Sequence, residues 1–186
     1  SEAIKKSQLL FNACGLSAEF ITHNALALPV KLLGQFDIAM SFGLTEHFKG
    51  EERLLINRAH FDLLKDNGMA MISVPNKYNL PYRMLKLACD LKGIWYFGEE
   101  YPYSRKELIN ICKKMGIKNY FFIGDSFPAS FRLINPLKVS KHLNKIFAKK
   151  TRTGWQEKKE KGTWLDQYFG HSIMLCAKRS SKLPNN

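Results

Sequence analysis

The sequence predicts an α/β fold with a doubly wound, mostly parallel sheet. Two observations support this prediction. Short apolar runs alternate with segments of helical periodicity, and Gly, Pro or Asn residues separate them at regular intervals. The chain has 186 residues, 45% of them hydrophobic, which suffices for one domain with its own core. Ligands of such sheets bind at the edge where the carboxyl ends of the strands meet, so functional residues are expected directly after the strands.

The first half of the chain predicts two helices and three strands. Residues 2–14 form a helix that Gly15 ends, and 51–65 form a second helix with acidic residues in its first turn. Strands are predicted at 18–24, 36–42 and 69–75. The run FDIAMSF at 36–42 is almost wholly apolar, which is typical of a parallel strand covered on both faces.

The second half predicts a helix at 104–116, in which Ser104 and Glu107 have the spacing of a capping box. Two further strands are predicted at 118–124 and 171–179. Two segments are longer than ordinary connections, namely 76–103 and 125–163. We interpret them as insertions within a single domain.

Charge and cysteine content narrow the function classes. The net charge is +13, and residues 138–161 contribute +7 of it, with eight Lys and one Arg against two Glu. Such a field attracts phosphate-bearing or lipid-surface partners. The four cysteines are far apart, so we expect buried free thiols in a reducing cytoplasm, without disulfides and without a metal site. No apolar run has the length of a membrane span, and the start of the sequence lacks the apolar core of a secretory signal.

A basic amphipathic helix is predicted inside the second insertion. Val139, Leu143, Ile146 and Phe147 fall on one face, with lysines between them. This helix could be a lid over a substrate, rest on an anionic membrane surface or bind nucleic acid. A solvated helix that covers one end of the sheet is the remaining alternative.

Four segments, in this order, carry a resemblance to a known family. They are SEAIKKS at 1–7, HNALALP at 23–29, the piece that runs from FDIAMSFGLTEHF at 36–48 to LLKDNGMAMISVPN at 63–76, and YSRKELINICKKMGI at 103–117. Together they resemble the class I S-adenosylmethionine-dependent methyltransferases, especially the small-molecule group that includes ubiquinone- and biotin-pathway enzymes. The resemblance implies a Rossmann-like methyltransferase fold, S-adenosyl-L-methionine as the cofactor, and methyl transfer to a small-molecule or lipid-like acceptor.

The resemblance also implies a set of cofactor-binding residues. Asn24 stands where the family usually has an Asp that accepts from the adenine amino group, and its side-chain oxygen can still accept. Ala25 occupies the position whose backbone N–H commonly meets the adenine ring. Ser41, Phe42 and Gly43 match the turn that lies along the ribose and methionine parts of the cofactor.

Catalytic and substrate-binding candidates follow from the same resemblance. His47 matches a histidine frequent beside the methyl-transfer zone, where it is either a general base or a residue that packs on the next helix. Its neighbour Glu46 is interpreted as a surface or helix-start acid. The segment 76–103 resembles an insertion that forms a substrate lid, although its aromatic residues could equally form a small satellite core. The candidate substrate contacts are Tyr78, Tyr82, Arg83, Trp95 and Tyr101.

Two parts of the family pattern are missing from the printed sequence. These are the Gly-rich loop after the first strand and the acidic residue after the second. We therefore expect the chain to be the C-terminal part of a longer enzyme, with both parts upstream of Ser1. A non-catalytic Rossmann-like binding or partner subunit is the alternative. An RNA-modifying enzyme is disfavoured, because PNKY at 75–78 differs from the NPPY type of tetrapeptide of many base-methylating enzymes.

Overall fold

The computed structural model describes residues 2–131, 133 and 163–180, which form a sheet flanked by helices. The strands are β1 (Phe36–Phe42), β2 (Leu64–Pro75), β3 (Tyr120–Gly124) and β4 (Ser172–Lys178). The helices are α1 (Glu2–Ala13), α2 (Gly50–Asp62), α3 (Leu80–Leu91), α4 (Arg105–Lys114), α5 (Phe127–Ser130) and α6 (Trp164–Phe169). Single 3₁₀ turns lie at Val30–Leu32 and Thr45–His47.

The described strands form one sheet in the order β1-β2-β4-β3. β1 and β2 are parallel and joined through α2, whereas β4 is antiparallel to both of its neighbours. Pairing of Phe42 with Ser73, and of Pro75 with Ser172, brings the carboxyl ends of β1 and β2 and the start of β4 to one edge. The predicted α/β, Rossmann-like architecture is confirmed, and this edge is where such sheets bind ligands.

The core lies between the sheet and the helices α2 and α4. Its fully buried members include Phe61 of α2, Ile72 of β2, Leu108 of α4 and Leu175 of β4. Each such side chain contributes roughly 1.5–3 kcal/mol through removal of apolar surface from water. The core therefore holds β2 and β4 firmly, and the ligand-binding edge is built on rigid elements.

The predicted strand at 18–24 is wrong, because these residues have no regular secondary structure. A strand is stable only when its backbone groups pair with a neighbouring strand, and no strand of the described residues lies beside this segment. Phe20 instead packs its ring on Phe11 of α1, with the centroids 5.4 Å apart.

The described residues do not cover β1 on both faces, contrary to the expectation from its sequence. Ala39 and Ser41 are buried, whereas the alternate residues of the strand are exposed by 41 to 64%, namely Phe36, Ile38, Met40 and Phe42. The described residues therefore cover this second face only in part. The apolar sequence of β1 therefore indicates a face that is suited to burial, although most of this face is exposed in the described structure.

The predicted helix at 104–116 is confirmed as α4, but its capping box is incomplete. The Ser104 hydroxyl accepts a hydrogen bond from the Glu107 N–H at 3.2 Å, as expected of an N-cap residue. The Glu107 carboxylate does not return a bond to Ser104. It accepts from Nε of Arg53 at 2.6 Å, which ties α4 to α2.

Helix α3 lies inside the segment 76–103 that the sequence analysis treats as an insertion. Asn79 caps it by accepting from the Tyr82 N–H at 2.8 Å, and Pro81 stands in its first turn, where a missing N–H has no cost. The basic helix predicted around 139–147 lies outside the described residues. Within the described part of the chain, no helix has the length and apolar character needed to cross a membrane.

The four cysteines are free thiols, and burial is wrong as a prediction for Cys14, which is exposed, and for Cys89, which is half-buried. Cys112 and Cys176 are buried in the core. Burial raises the pKa of the Cys112 thiol to about 11, so this group is neutral and packs as a small apolar side chain.

Candidate functional site

The turn after β1 forms the floor of the candidate site. Gly43 has a φ of +70°, in the left-handed region that residues with a Cβ rarely adopt. Its N–H donates to the Ser73 carbonyl of β2 at 3.4 Å. The chain then enters the 3₁₀ turn at Thr45–His47, in which Thr45 and Glu46 are buried. The turn thus carries polar residues into the protein at the edge where ligands bind.

Tyr103 anchors this turn from below. Its side chain is fully buried, and its hydroxyl donates to the Thr45 carbonyl at 3.1 Å. The same hydroxyl accepts from Nδ2 of Asn57 at 2.9 Å. The guanidinium carbon of Arg53 lies 3.4 Å from the centre of the Tyr103 ring, as in a cation–π contact. Two elements, α2 and the loop before α4, therefore fix the backbone that carries Glu46 and His47.

A cavity of about 600 Å³, which we call the main cavity, lies above this turn. Its wall includes Phe42, Gly43, Glu46, His47, Tyr82 and Trp95. Glu46 is only 2% exposed, which corrects its interpretation as a surface acid. Burial raises the pKa of the Glu46 carboxyl above its ordinary value, and its Oε2 atom has no hydrogen-bond partner among the described residues.

His47 and Glu100 stand beside Glu46. The Nδ1 atom of His47 lies 2.8 Å from the Glu99 carbonyl oxygen. The Tyr82 hydroxyl donates to Oε2 of Glu100 at 2.8 Å, and burial, together with this bond, raises the pKa of Tyr82. One ligating atom from each of Glu46, His47 and Glu100 lies within 4.8 Å of the others. These groups can accept protons or hold a cation.

An aromatic cluster forms another wall of the main cavity. The ring of Tyr82 contacts Trp95 and His171 edge-on, at 6.2 and 5.5 Å between centroids, and Trp95 contacts Phe97 at 5.4 Å. Burial lowers the pKa of His171, so its ring is neutral at pH 7. The aromatic residues of 76–103 therefore pack on one another and line the cavity at the same time.

The predicted cofactor residues divide between two cavities. Phe42 and Gly43 line the main cavity, whereas Asn24, Ala25 and Ser41 line a smaller one of about 330 Å³ beside β1. The Asn24 side-chain oxygen accepts from the Leu26 N–H at 3.0 Å, within its own turn. The side chain of Ser41 points away from the main cavity, towards α2.

Ser41 is engaged with a buried histidine. Its Oγ atom lies 2.8 Å from Nε2 of His60, and Nδ1 of His60 lies 2.9 Å from the Ile56 carbonyl oxygen. Since a carbonyl only accepts, Nδ1 carries the proton and Nε2 accepts from the Ser41 hydroxyl. Burial lowers the pKa of His60, consistent with a neutral ring. The Ser41 hydroxyl therefore stabilises the fold, and only its backbone is free to face a ligand.

The predicted substrate residues are also separated. Tyr82 and Trp95 line the main cavity, while Arg83 and Tyr101 line a third cavity of about 530 Å³ that shares Tyr82 and Glu100 with it. Tyr78 is 55% exposed on the surface. Sequence reasoning missed Glu100 and His171 as cavity residues. Glu100 follows Glu99 in a polar pair between aromatic residues, and this pattern alone does not indicate burial.

The described fold is that of the class I S-adenosylmethionine-dependent methyltransferases, as solved structures show. One is a methyltransferase, described as a possible histamine N-methyltransferase, from Thermotoga maritima. It has 14% identity and a TM-score of 0.56, over 91% of this chain and 67% of that one. A second, provisionally assigned as a methyltransferase, comes from Bacillus halodurans. It has 12% identity and a TM-score of 0.55, over 97% of this chain and 80% of that one.

A third similar structure, from Galdieria sulphuraria, is provisionally assigned as a sarcosine dimethylglycine methyltransferase. It has 14% identity and a TM-score of 0.53, and the match covers 96% of this chain and 66% of that one. No protein-family model matches the sequence, and no curated protein matches it. At these identities the similarity establishes the fold, and the resemblance seen in the sequence is confirmed at that level.

Proposed function

We propose that the protein transfers a methyl group from S-adenosyl-L-methionine to a small-molecule or lipid-like acceptor. The observation that carries this proposal is the position of the main cavity. It opens at the edge formed by the carboxyl ends of β1 and β2, in a fold shared with S-adenosylmethionine-dependent methyltransferases. Sheets of this type bind their ligands outside the carboxyl ends of the strands.

The cofactor is proposed to lie along the end of β1. Ser41 lines the small cavity beside Asn24 and Ala25, and the next two residues, Phe42 and Gly43, line the main cavity. A ligand that extends from one cavity to the other would run past this backbone. The absence of a Cβ at Gly43 lets such a ligand approach the chain closely. In this arrangement the adenine lies near Asn24 and the sulfonium near Gly43.

The acceptor is proposed to bind against the aromatic wall of the main cavity. Tyr82, Trp95 and Phe97 offer flat apolar surface, and the neighbouring carboxylates and His47 offer a few polar contacts. This combination is typical of sites for small planar or partly apolar molecules. Contact of the segment 138–161 with an anionic membrane would suit a lipid-like acceptor, and it remains a proposal about residues outside the described ones.

His47 is proposed as the residue nearest to the transferred group. Its Nδ1–H donates to the Glu99 carbonyl, which leaves the lone pair of Nε2 to accept a proton from an acceptor hydroxyl or amine. Methyl transfer also proceeds by alignment of the nucleophile with the sulfonium alone, so His47 could equally act by shaping the cavity.

Transfer of a labelled methyl group tests the proposal. The full-length protein and labelled S-adenosylmethionine are incubated with quinol, phenol and amine acceptors. We expect label in the organic extract, and about tenfold less with Trp95→Ala, which removes aromatic surface from the cavity. The matched control is Tyr96→Ala, since Tyr96 is 92% exposed. No transfer to any acceptor, with no binding of the cofactor, would favour the non-catalytic subunit instead.

A further inference from the structure

Three groups able to ligate a metal converge on one wall of the main cavity. Glu46 and His47 come from the 3₁₀ turn after β1, and Glu100 comes from the loop before α4. The Tyr101 N–H donates to the Glu46 carbonyl at 2.8 Å, which holds this loop against the turn. One carboxylate oxygen of each Glu and one ring nitrogen of His47 all lie within 4.8 Å of one another.

One oxygen of the Glu46 carboxylate lacks the partner that its burial requires. The side chain is 2% exposed, and Oε2 has no hydrogen-bond partner among the described residues. A buried carboxylate is costly unless it is paired or coordinates a metal. The nearby Arg53 does not serve, because its guanidinium donates to Glu107 and to the carbonyls of Phe48 and Pro102. The unpartnered oxygen belongs to a residue that lines the cavity.

The other two groups are held as metal ligands usually are. The Nδ1–H of His47 donates to the Glu99 carbonyl oxygen, which leaves Nε2 as the lone-pair nitrogen. The Tyr82 hydroxyl donates to Oε2 of Glu100, which orients that carboxylate and leaves Oε1 to coordinate. Hydrogen bonds of this kind fix the tautomer and orientation of ligands in known metal sites.

We infer that Glu46, His47 and Glu100 bind one divalent metal cation at the wall of the main cavity. Two carboxylates and one imidazole favour a first-row cation such as Mn²⁺. Three ligands spread evenly around one ion at about 2.0–2.2 Å lie at most about 3.8 Å from one another. The three groups, which lie within 4.8 Å of one another, therefore need to approach by up to about 1 Å. Water or a ligand from the cavity would complete the coordination.

A cation bound at this site would be an electrophile in the main cavity. The use of this cation in catalysis rests on the proposed function. A cation at this wall would bind an acceptor oxygen and favour its deprotonated form, as metal ions do for bound water and hydroxyl groups. His47 would then act as a ligand, because Nε2 cannot bind a metal and accept a proton at once. Metal binding itself requires neither the cofactor nor an acceptor.

Titration of the protein with MnCl₂ tests the site. The electron paramagnetic resonance signal of free Mn²⁺ measures how much of the ion stays unbound. The protein is first freed of metal, and no S-adenosylmethionine is added. We expect about one Mn²⁺ bound per chain, with binding weakened about tenfold or more by Glu46→Gln and by Glu100→Gln. The matched control is Glu99→Gln, which removes a neighbouring charge but leaves the Glu99 carbonyl on His47. It is expected to bind Mn²⁺ like the unaltered protein.

Two results would overturn the inference. One is failure of the unaltered protein to bind Mn²⁺. The other is equal binding by Glu46→Gln, Glu100→Gln and Glu99→Gln, which would mean that only diffuse negative charge attracts the ion. Circular dichroism of each variant establishes that it is folded, and two ligand variants keep the test valid if one is not. Cofactor binding is read separately, so failure of either proposal leaves the other standing.

Discussion

Ser41 and His60 form a buried polar pair behind the carboxyl end of β1. His60 is 6% exposed, and both ring nitrogens have partners when the ring is neutral. Protonation would place a positive charge on this ring in a poorly solvated position. Because burial lowers the pKa of His60, protonation favours the unfolded state, in which the ring is solvated.

This pair predicts how stability depends on pH. The unfolded chain takes up a proton at His60 as the pH falls through about 6.5, and the folded protein does so only at lower pH. Stability is therefore fully present above this range and decreases as the pH falls, by at most about 1.4 kcal/mol between pH 7.5 and 5.5. Urea unfolding at several pH values measures the slope.

Two variants test whether His60 causes this dependence of stability on pH. His60→Gln is the test variant, and His23→Gln is the control. We expect His60→Gln to reduce the slope, because it removes the titrating ring. We expect His23→Gln to keep it, because the His23 side chain is exposed. His171, Glu46 and Asp62 also titrate away from their ordinary pKa values, but they are the same in all three proteins. Equal slopes would contradict the assignment of the effect to His60.

At the scale of elements, Arg53 joins α2 to α4 and to the loop that precedes α4. Its side chain is 11% exposed, bonds Glu107 through Nε and lies over the ring of Tyr103. Arg53→Met keeps the length of the side chain but removes the charge and the donors. We expect a loss of about 1–3 kcal/mol in the free energy of unfolding, measured by urea denaturation.

The control for Arg53 is Lys65→Gln, which breaks the exposed ion pair with Asp37. Exposed pairs contribute little, so a change within about 0.5 kcal/mol is expected. A similar loss in the free energy of unfolding from both variants would contradict the prediction. It would mean that the change in net charge, rather than the loss of the Arg53 contacts, destabilises the protein.

Local signals predicted most of the elements, and long-range contacts explain the exceptions. α4 follows from Ser104, which caps it in the structure, and β1 follows from its apolar run. The strand expected at 18–24 depends on a neighbour that its own residues do not specify. α3 had a signal in the sequence, since Asn79 followed by Pro81 is a helix start, but the surrounding aromatic residues favoured the interpretation as an insertion.

The candidate site was predictable only where one segment supplies it. The continuous motif at the end of β1 predicted Gly43 and His47 as site residues, and both line the main cavity. Glu46 was misassigned because its burial depends on Tyr101 and Tyr103, which approach from a distant segment. No local pattern pairs Glu46 with Glu100, so the proposed metal site emerges only from the folded chain.

At the scale of the whole molecule, the open face of β1 predicts a tolerance to polar substitution. Ile38 and Met40 are 54% and 60% exposed, whereas Ile72 on the adjacent strand is fully buried. Ile38→Ser with Met40→Ser is expected to cost less than about 1 kcal/mol and to reduce association of the protein at high concentration. Ile72→Ser is expected to cost several kcal/mol.

Urea denaturation and analytical ultracentrifugation compare these variants. A large destabilisation by the Ile38 and Met40 pair would show that this face is covered in solution. It would then act as an internal surface of the protein, contrary to the description of β1 as an open face.

The central claim is that the edge at the end of β1 binds the cofactor of a methyltransferase. Isothermal calorimetry of the full-length protein with S-adenosylhomocysteine tests it most directly. The prediction is saturable binding with a stoichiometry of about one, weakened at least tenfold by Gly43→Val, because φ there is +70° and a Cβ would lie 3.5 Å from the Glu46 carboxylate at the wall of the main cavity. No heat and no thermal shift with the unaltered protein, or equal binding by the folded variant, would contradict the claim.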